Sequence, residues 1–221
     1  ITIFGNTNFK KKLKKNYINL PLKKEIFQSG SKVYVNNFLS IEKKNNSDLI
    51  EIHNRPAYIK SIIDQTKAKL VLYFHNDPLS MNGSKSVNER LFLINNLEKI
   101  IFNSEWTKKR FFLGLDNFNL NSEKVEVIYQ STSKKKININ KKEKIVTFVG
   151  RLNKSKGYDL FGKAIIKILD KYPDWKSIVI GDEPREKIIF NHKNLTIKGY
   201  TKHNYVLNLL KKISISVICS R

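Results

Sequence analysis

The sequence predicts an α/β fold made of two units with parallel sheets. Short runs of β-branched and aromatic residues alternate with amphipathic segments of helical spacing, which is typical of parallel strands covered by helices on both faces. A polar, lysine-rich segment at residues 131–143 interrupts this alternation once, as a linker between domains would. We therefore predict an N-terminal domain over residues 1–138 and a C-terminal domain over residues 139–221.

Strands and helices are predicted to alternate through the N-terminal domain. Helical spacing predicts helices at residues 30–45 and 57–67. Two more helices are predicted, one after Ser86 and one after Ser104. Ser86 begins the capping-box pattern Ser-Val-Asn-Glu. Strands are predicted at residues 1–4, 49–52, 70–74, 99–102 and 125–129, with loop and one short strand in residues 10–27. In the helix after Ser104, we expect Trp106, Phe111 and Phe112 in the core and Lys108, Lys109 and Arg110 in water.

The C-terminal domain repeats the alternation over a shorter length. Strands are predicted at residues 144–149, 177–180, 195–197 and 213–218, and helices at residues 158–169 and 205–210. From Glu143 this domain has only 79 residues, against about 100–150 for a typical domain, and the chain begins at Ile1. We therefore expect a fragment that is incomplete at both ends. The predicted core side of the first helix comprises Leu160, Phe161, Ala164, Ile165 and Ile168.

Composition limits the classes of protein to which the chain can belong. It has 221 residues, 40% of them hydrophobic, which is enough to form a core. The single cysteine, Cys219, excludes an intramolecular disulfide and a multi-cysteine metal site, and it favours a reducing compartment. No apolar run approaches the about 20 residues of a membrane-spanning helix, and no segment resembles a signal peptide.

The net charge of +23 suggests an anionic partner. However, only six of the 42 basic residues are arginine, the side chain that best contacts bases and clamps phosphates. The abundance of lysine, asparagine and isoleucine is typical of an AT-rich genome, whatever the protein does. These observations favour a weak attraction to an anionic membrane surface over a specific nucleic-acid partner. A basic nucleic-acid-binding α/β protein stays open as an alternative.

The segment Gly-Arg-Leu-Asn-Lys-Ser-Lys-Gly at residues 150–157 lies between a predicted strand and a predicted helix. Ligands of open parallel sheets bind beyond the carboxyl ends of the strands, so this loop is a candidate anion site. Arg151 can donate two hydrogen bonds to a phosphate, and Lys156 adds a second positive charge. Gly150 permits a tight turn, and Gly157 permits a close approach of the helix N-terminus. The alternative is an ordinary lysine-rich surface loop.

Two successive strands of the N-terminal domain end in the same dipeptide. His53 and Asn54 follow the strand at 49–52, and His75 and Asn76 follow the strand at 70–74. Histidine titrates near neutral pH and can orient or polarise a substrate hydroxyl. The simpler interpretation is a structural histidine and, at residues 53–56, a strand-to-helix turn with proline at the helix start. The repetition favours a functional role for both histidines.

Patterns that would indicate other chemistries do not occur in the sequence. It has no Gly-x-x-x-x-Gly-Lys-Ser/Thr, Gly-x-Gly-x-x-Gly, His-Glu-x-x-His or Gly-x-Ser-x-Gly motif. Asp182 and Glu183 have no evident partner for paired acid–base catalysis. His192 and His203 lie in polar surroundings, and we predict that both are exposed.

Taken together, the motifs resemble those of bacterial glycosyltransferases of family 4, which have the GT-B fold. The resemblance runs from about residue 49 to the end of the chain and depends on the order and spacing of its segments. It implies two Rossmann-like domains whose parallel sheets face each other across a cleft, the second domain being incomplete. The segments are IEIHNRP at 50–56, YFHNDPL at 73–79, IIFNSEWT at 100–107, VGRL at 149–152, Lys156-Gly157, VIGDEP at 179–184, Gly199-Tyr200 and SVICSR at 216–221.

The resemblance also implies a role for each candidate residue. Arg151 and Lys156 would hold the diphosphate of a nucleotide, and His75 would lie at the reacting centre beside the donor sugar. The family needs no metal ion or other cofactor, because arginine and lysine meet the charge of the diphosphate. The nucleotide pocket would be lined by Gly150, Gly181, Asp182, Gly199 and Tyr200. The acceptor side would be bordered by His53, Asn54, Arg55 and Asn76.

The implied function is transfer of a sugar, with retention of anomeric configuration, from a nucleotide-diphosphate sugar to a saccharide or lipid-linked acceptor. This transfer would serve cell-surface polysaccharide or lipopolysaccharide synthesis, in the cytoplasm or at the inner face of the membrane. A GT-B epimerase or hydrolase of nucleotide sugars stays open as an alternative, which extra carboxylates at the strand ends would favour.

Three departures from the family pattern bear on activity. The family's glutamate pair is expected beyond Arg221, and its glycine-rich loop near the start of the first domain is not visible in the sequence. Cys219 stands where proline is commoner. We therefore predict that these 221 residues alone are inactive.

Overall fold

The computed structural model describes residues 1–6, 16–20, 29–116, 122–132 and 137–221. The chain divides into two compact units, Ile1–Thr132 and Ser133–Arg221. This division falls inside the segment at residues 131–143 for which a linker is predicted. Each unit has its own parallel sheet and its own hydrophobic core.

The first unit contains a two-stranded and a four-stranded parallel sheet. Strands β1 and β2 form the small sheet, and the large sheet has the order β3-β4-β5-β6. The predicted order of strands and helices is confirmed, although part of the segment at residues 10–27 lies outside the described residues. In chain order the elements are β1 (Ile3–Gly5), β2 (Tyr17–Asn19), α1 (Gly30–Asn45), β3 (Leu49–His53), α2 (Ile59–Ile62), β4 (Lys69–Phe74), α3 (Val87–Asn96), β5 (Lys99–Phe102), α4 (Glu105–Phe112) and β6 (Val125–Val127).

Serine side chains begin three helices of the first unit. Ser29 caps α1, and Ser86 accepts a hydrogen bond from the backbone N–H of Glu89 at 3.2 Å while the Glu89 carboxylate accepts one from the backbone N–H of Ser86 at 2.9 Å. The predicted capping box is therefore confirmed. Ser104 caps α4 in the same way, through the backbone N–H of Thr107 at 3.2 Å.

Two predictions for helices of the first unit need correction. The helix predicted at residues 57–67 is a four-residue α-helix between two 3₁₀ turns, Pro56–Tyr58 and Ile63–Gln65. Trp106 is not in the core: it is 59% exposed, and the guanidinium of Arg110 lies over its ring at 5.7 Å. Arg110 is not simply solvated either, because it binds Asp77 through two hydrogen bonds. Phe111 is fully buried as predicted.

The second unit is built around one four-stranded parallel sheet of order β10-β7-β8-β9. Helix α5 connects β7 to β8 and packs its long apolar side on the sheet. Each strand and helix predicted for this unit is confirmed in type. The elements are β7 (Glu143–Val149), α5 (Tyr158–Lys171), β8 (Lys176–Ile180), β9 (Leu195–Ile197), α6 (His203–Lys212) and β10 (Ile213–Val217).

The buried side of α5 differs from the prediction. Tyr158, Phe161, Ile165 and Leu169 are each at most 4% exposed, and their spacing of three and four residues places them on one stripe of the helix. Leu160, Ala164 and Ile168, for which the pattern predicts a core position, are exposed. Phe161 and Ile165 are buried as predicted. The other three positions were wrong because apolar residues occur in adjacent pairs along α5, and the sequence alone does not show which member of each pair faces the core.

His192 is also placed differently from its prediction. Its side chain is only 10% exposed, because it lies against α5 with Nε2 3.2 Å from the Asp170 carboxylate. Its Nδ1 accepts a hydrogen bond from the backbone N–H of Asn194 at 3.0 Å. His203 is exposed, as predicted. No helix within the described ranges is both long and apolar enough to cross a membrane.

Candidate functional site

The carboxyl edge of the large sheet in the first unit brings both His-Asn pairs together. β3 and β4 are paired in register, with His53 opposite Tyr73. The side chains of His53 and His75 meet, with Nδ1 of His53 2.8 Å from Nε2 of His75. Their rings lie edge to edge and nearly parallel, with centroids 5.1 Å apart and planes 13° apart, and Tyr73 stacks on His75 at 4.5 Å. The two histidines therefore form one cluster.

Two polar side chains extend this cluster at its ends. Nε2 of His53 lies 3.1 Å from Oε1 of Glu51, and Nδ1 of His75 lies 2.7 Å from Nε2 of Gln130. Glu51 and His53 share a face of β3 because successive strand residues alternate between faces; Ile50 and Ile52 are buried on the other face. That alternation could have drawn attention to Glu51. No local pattern points to Gln130.

Asn54 holds the ends of β3 and β4 together. Its backbone is left-handed, with φ of 58°, a conformation that asparagine adopts more readily than most residues. Its Oδ1 accepts hydrogen bonds from the backbone N–H groups of His75 at 3.2 Å and Asn76 at 3.3 Å. Arg55 donates to the Asn54 carbonyl at 2.9 Å. The candidate residues of the first unit therefore form one constellation.

The surroundings of His75 disfavour its charged form. Burial lowers the pKa of His75 below its ordinary value, and the neighbouring His53 lowers it further. Glu51 acts in the opposite direction and raises this pKa. His75 is therefore neutral at pH 7 and able to use one ring nitrogen as an acceptor.

Three glycines meet at the carboxyl edge of the sheet in the second unit. The backbone N–H of Gly150 bonds the Ile180 carbonyl at 3.0 Å, and that of Gly181 bonds the Gly199 carbonyl at 2.9 Å. Gly181 has φ of 144°, and a Cβ atom there would lie 1.7 Å from the Gly150 carbonyl oxygen. Asp182 and Tyr200, which follow two of these glycines, are exposed at the same edge.

The loop at residues 150–157 is held by its own asparagine. The buried Asn153 accepts a hydrogen bond from the backbone N–H of Lys156 at 3.0 Å and caps a 3₁₀ turn, Lys154–Lys156. Gly157 then has φ of 70°, where α5 begins. A Cβ atom at Gly157 would lie 2.0 Å from the Cys219 carbonyl oxygen. Gly157 therefore permits a close approach of the segment after β10, and its predicted role in an approach to an anion stays a prediction.

Arg221 ties the segment after β10 to the start of α5. Its guanidinium donates two hydrogen bonds to the Asp159 carboxylate, at 3.0 and 2.9 Å, and also contacts the Lys154 carbonyl. Arg221 lowers the pKa of Asp159 to about 2. The loop that carries Arg151 and Lys156 is thus connected to both β8 and β10.

Glu183 is a residue whose importance the sequence did not indicate. Its carboxylate is 4% exposed and accepts two hydrogen bonds from Arg185, at 2.7 and 3.0 Å. Asn153 donates to it at 3.4 Å, and the Arg151 guanidinium lies 3.9 Å away. The hydrogen bonds from Arg185 hold the pKa of Glu183 at about 2, with a smaller contribution from Arg151. Arg151 therefore lies beside a permanent negative charge.

The sequence-predicted site residues thus fall into two groups. His53, Asn54, Arg55, His75 and Asn76 share the carboxyl edge of the first sheet, and the remaining candidates share that of the second. Within the residues that the structure describes, no three His, Cys, Asp or Glu side chains are grouped as metal ligands would be.

The fold is that of the GT-B glycosyltransferases. The chain is similar to the crystal structure of WaaG, a glycosyltransferase involved in lipopolysaccharide biosynthesis, with a TM-score of 0.64 and 13% identity over 95% of this chain and 64% of that one. It is also similar to the crystal structure of TarM, with a TM-score of 0.63 and 16% identity over 85% of this chain and 40% of that one. A TarM variant from S. aureus matches as well. The match to Anabaena HepE in complex with UDP-glucose has a TM-score of 0.62 and 15% identity over 87% of this chain and 58% of that one.

Residues 130–221 match the family model described as Glycosyl transferases group 1. The match covers the whole of the second unit and the last three residues of the first. No curated protein sequence matches the chain. The chain spans 40% to 64% of the length of these three solved structures.

Proposed function

We propose that the protein is a retaining glycosyltransferase of family 4 that transfers a sugar from a nucleotide-diphosphate sugar to a saccharide or lipid-linked acceptor. The observation that carries this proposal is the loop at residues 150–157, which lies at the carboxyl edge of a parallel sheet inside the family-matched region. The complex of HepE with UDP-glucose supports a nucleotide sugar as the donor. Cell-surface polysaccharide or lipopolysaccharide synthesis is the proposed pathway, and the involvement of WaaG in lipopolysaccharide biosynthesis supports it.

In this proposal, Arg151 and Lys156 neutralise the diphosphate as its bond to the sugar breaks. They take the role that a metal ion has in other enzymes, so that no cofactor is needed. The Glu183 carboxylate lies 3.9 Å from the Arg151 guanidinium, and its charge is balanced mainly by Arg185. The nucleotide pocket is lined by Gly150, Gly181, Asp182, Gly199 and Tyr200.

His75 lies beside the donor sugar in this proposal. It is held by Asn54, whose Oδ1 accepts from its backbone N–H, and its neutral ring suits a hydrogen bond with a sugar hydroxyl. The acceptor side is bordered by His53, Asn54, Arg55 and Asn76.

Calorimetric titration of the 221-residue chain with UDP tests the anion site. We expect Arg151→Ala and Lys156→Ala each to weaken UDP binding by at least about tenfold, because a hydrogen bond to a charged group is worth about 1.5–3 kcal/mol. Lys167→Ala is the matched control, since Lys167 is an exposed lysine on α5. Equal affinities in all four proteins, or a wild-type chain that does not bind UDP, would contradict the proposal.

The net charge of +23 keeps a nucleic-acid-binding function as a second candidate. Such a protein would bind an oligonucleotide with an affinity that falls steeply with salt, and UDP would not raise its melting temperature. A glycosyltransferase should instead be stabilised by UDP, by about 2.7 kcal/mol at 100 times its Kd. The epimerase or hydrolase alternative would need free carboxylates at the strand ends. Asp77 and Glu183 are bound by arginines, which leaves the exposed Asp182 beside Glu183 as its candidate.

We propose a cytoplasmic location with peripheral contact at an anionic membrane. Helix α4 supports this contact, because it exposes Trp106 at 59% next to Lys108 and Lys109. Aromatic and basic side chains of this kind favour the headgroup region of anionic lipids. Sedimentation with vesicles should show binding to those with phosphatidylserine and none to purely zwitterionic ones, and Trp106→Ala should weaken it.

A further inference from the structure

The cluster around His75 is a chain of hydrogen bonds that begins at a carboxylate. The first contact, of 3.1 Å, joins Oε1 of Glu51 to Nε2 of His53. The second, of 2.8 Å, joins Nδ1 of His53 to Nε2 of His75. The third, of 2.7 Å, joins Nδ1 of His75 to Nε2 of Gln130. The chain runs from β3 through the residue after β4 to the segment after β6. It therefore joins three strands of the first sheet at their carboxyl ends.

Glu51 decides the direction of this chain when both rings are neutral. An ionised carboxylate can only accept, so His53 must carry its proton on Nε2. Nδ1 of His53 is then an acceptor, which requires that Nε2 of His75 donate to it. It follows that Nδ1 of His75 is also an acceptor and that the Gln130 amide N–H₂ donates to it. The tautomers of both rings follow from one carboxylate.

Both nitrogens of His75 are engaged, but the two partners differ. His53 is fixed by Glu51 and by its stacking on Tyr73 at 5.6 Å. Gln130 has an exposed side chain on an irregular segment beyond β6. Gln130 is therefore the partner that a ligand can displace.

We propose that Glu51 and His53 are positioning residues that hold Nδ1 of His75 as a hydrogen-bond acceptor, and that a sugar hydroxyl of the substrate replaces the Gln130 amide as its donor. This proposal rests on the proposed glycosyltransferase function for the identity of the hydroxyl. The chemical consequence is definite: His75 accepts a hydrogen bond from the substrate and does not donate one to it. The lowered pKa of His75 agrees with this role.

Nitrogen NMR of the ¹⁵N-labelled 221-residue chain at about pH 8, where the ring of His75 with its lowered pKa is neutral, locates the proton directly. We expect a scalar coupling across the hydrogen bond between His53 and His75, with the proton covalently bound to Nε2 of His75. The same result is expected in the control Tyr129→Ala, a change at an exposed residue outside the chain of hydrogen bonds. A proton on Nδ1 of His53, or on Nδ1 of His75, would overturn the proposal.

The role of Glu51 is tested by exchange of the His53 Nε2 proton with water. Glu51→Ala removes its acceptor, and we expect exchange at least about fivefold faster, in proportion to the loss of a hydrogen bond of about 1 kcal/mol. Glu51 is about half exposed, so this variant should fold, which circular dichroism checks. An unchanged exchange rate would remove Glu51 from the chain and overturn the proposal.

Acylation of histidine by diethylpyrocarbonate tests whether Gln130 covers the acceptor nitrogen. The reagent attacks an unprotonated ring nitrogen. His75 should therefore be acylated about fivefold faster in Gln130→Ala than in the wild type, with the exposed His203 as internal reference. Tyr129→Ala, a change at the exposed neighbouring residue, should leave the rate unchanged. Equal rates in wild type and Gln130→Ala would overturn the covering role. Because none of these three readouts involves a nucleotide, their failure is distinguishable from failure of the UDP titration that tests the proposed function.

Discussion

His75 shows how single side chains set the chemistry of a strand end. Its backbone is held by Asn54, its ring lies between Tyr73 and His53, and its nitrogens are both in contact with polar groups. In the second unit, the buried carboxylate of Glu183 lies between Arg151 and Arg185 and sets the charge of its strand end. In both places a carboxylate that is not itself a candidate ligand of the substrate orders the residues that are.

Two substitutions should move the pKa of His75 in opposite directions. His53→Asn removes a neighbouring charge that lowers this pKa and should therefore raise it, whereas Glu51→Gln removes a raising charge and should lower it. In the wild type the folded-state pKa is below the unfolded one, so the contribution to stability is complete above about pH 6.5 and falls as the pH drops through the folded pKa. Proton NMR titration of His75 measures all three values; a shift of the same sign in both variants would contradict this account.

At the scale of the secondary-structure element, a buried arginine attaches helix α3 to helix α4. Arg90 is 3% exposed, and its guanidinium donates to the carbonyls of Phe111 and Leu113, at the end of α4. The last carbonyls of a helix have no partner within the helix, so Arg90 joins α3 to α4 by satisfying them.

Arg90→Met should destabilise the first unit by about 2–3 kcal/mol. The variant keeps much of the side-chain volume but leaves two carbonyls without their charged donor, and hydrogen bonds of this kind are worth about 1.5–3 kcal/mol. Urea denaturation followed by circular dichroism measures the change. Lys109→Met, on the exposed side of α4, should change the free energy of unfolding by less than about 0.5 kcal/mol; equal effects would show that Arg90 has no special role.

The turn after β8 tolerates only glycine at its first position. Gly181→Ala combines a left-handed φ, which costs about 1–2 kcal/mol for other residues, with a clash against the Gly150 carbonyl that forces the backbone to move. We expect a loss above about 2 kcal/mol and weaker UDP binding. Gly199→Ala is the comparison, because its φ is 63° but no atom lies within 4 Å of the added Cβ; its cost should be only the backbone term. Equal stabilities would contradict the clash.

Acid stability belongs to the whole molecule, because its charge is so unbalanced. Arg185 and Arg221 hold the pKa values of Glu183 and Asp159 at about 2, below their ordinary values of 4.5 and 3.8. Groups with a lowered pKa stabilise the fold fully above the unfolded-state pKa, and this contribution is lost as the pH falls towards about 2. Protonation of the carboxylates also raises a net charge that is already +23, which adds repulsion.

We therefore expect the melting temperature to fall steeply between about pH 4.5 and about pH 2. Asp159→Asn should melt lower than the wild type at pH 7 and approach it at the acid end, because the pair with Arg221 is lost in both proteins there. Thermal unfolding at a series of pH values measures this convergence. Parallel curves for the two proteins would show that the Asp159–Arg221 pair does not stabilise the fold.

The sequence by itself determined the order of strands and helices, the caps at Ser86 and Ser104 and the glycine-bounded loop at 150–157, because each depends on residues close together in the chain. It also marked the strand ends where chemistry should lie. Only the tertiary structure decided that Glu51, His53, His75 and Gln130 form one chain, since strand pairing brings together residues up to 55 positions apart. The tertiary structure also decided that Trp106 is exposed, which stripe of α5 is buried, and that the charge of Glu183 is buried. Which face an element buries, and which distant charge it meets, depends on its neighbours and not on its own pattern.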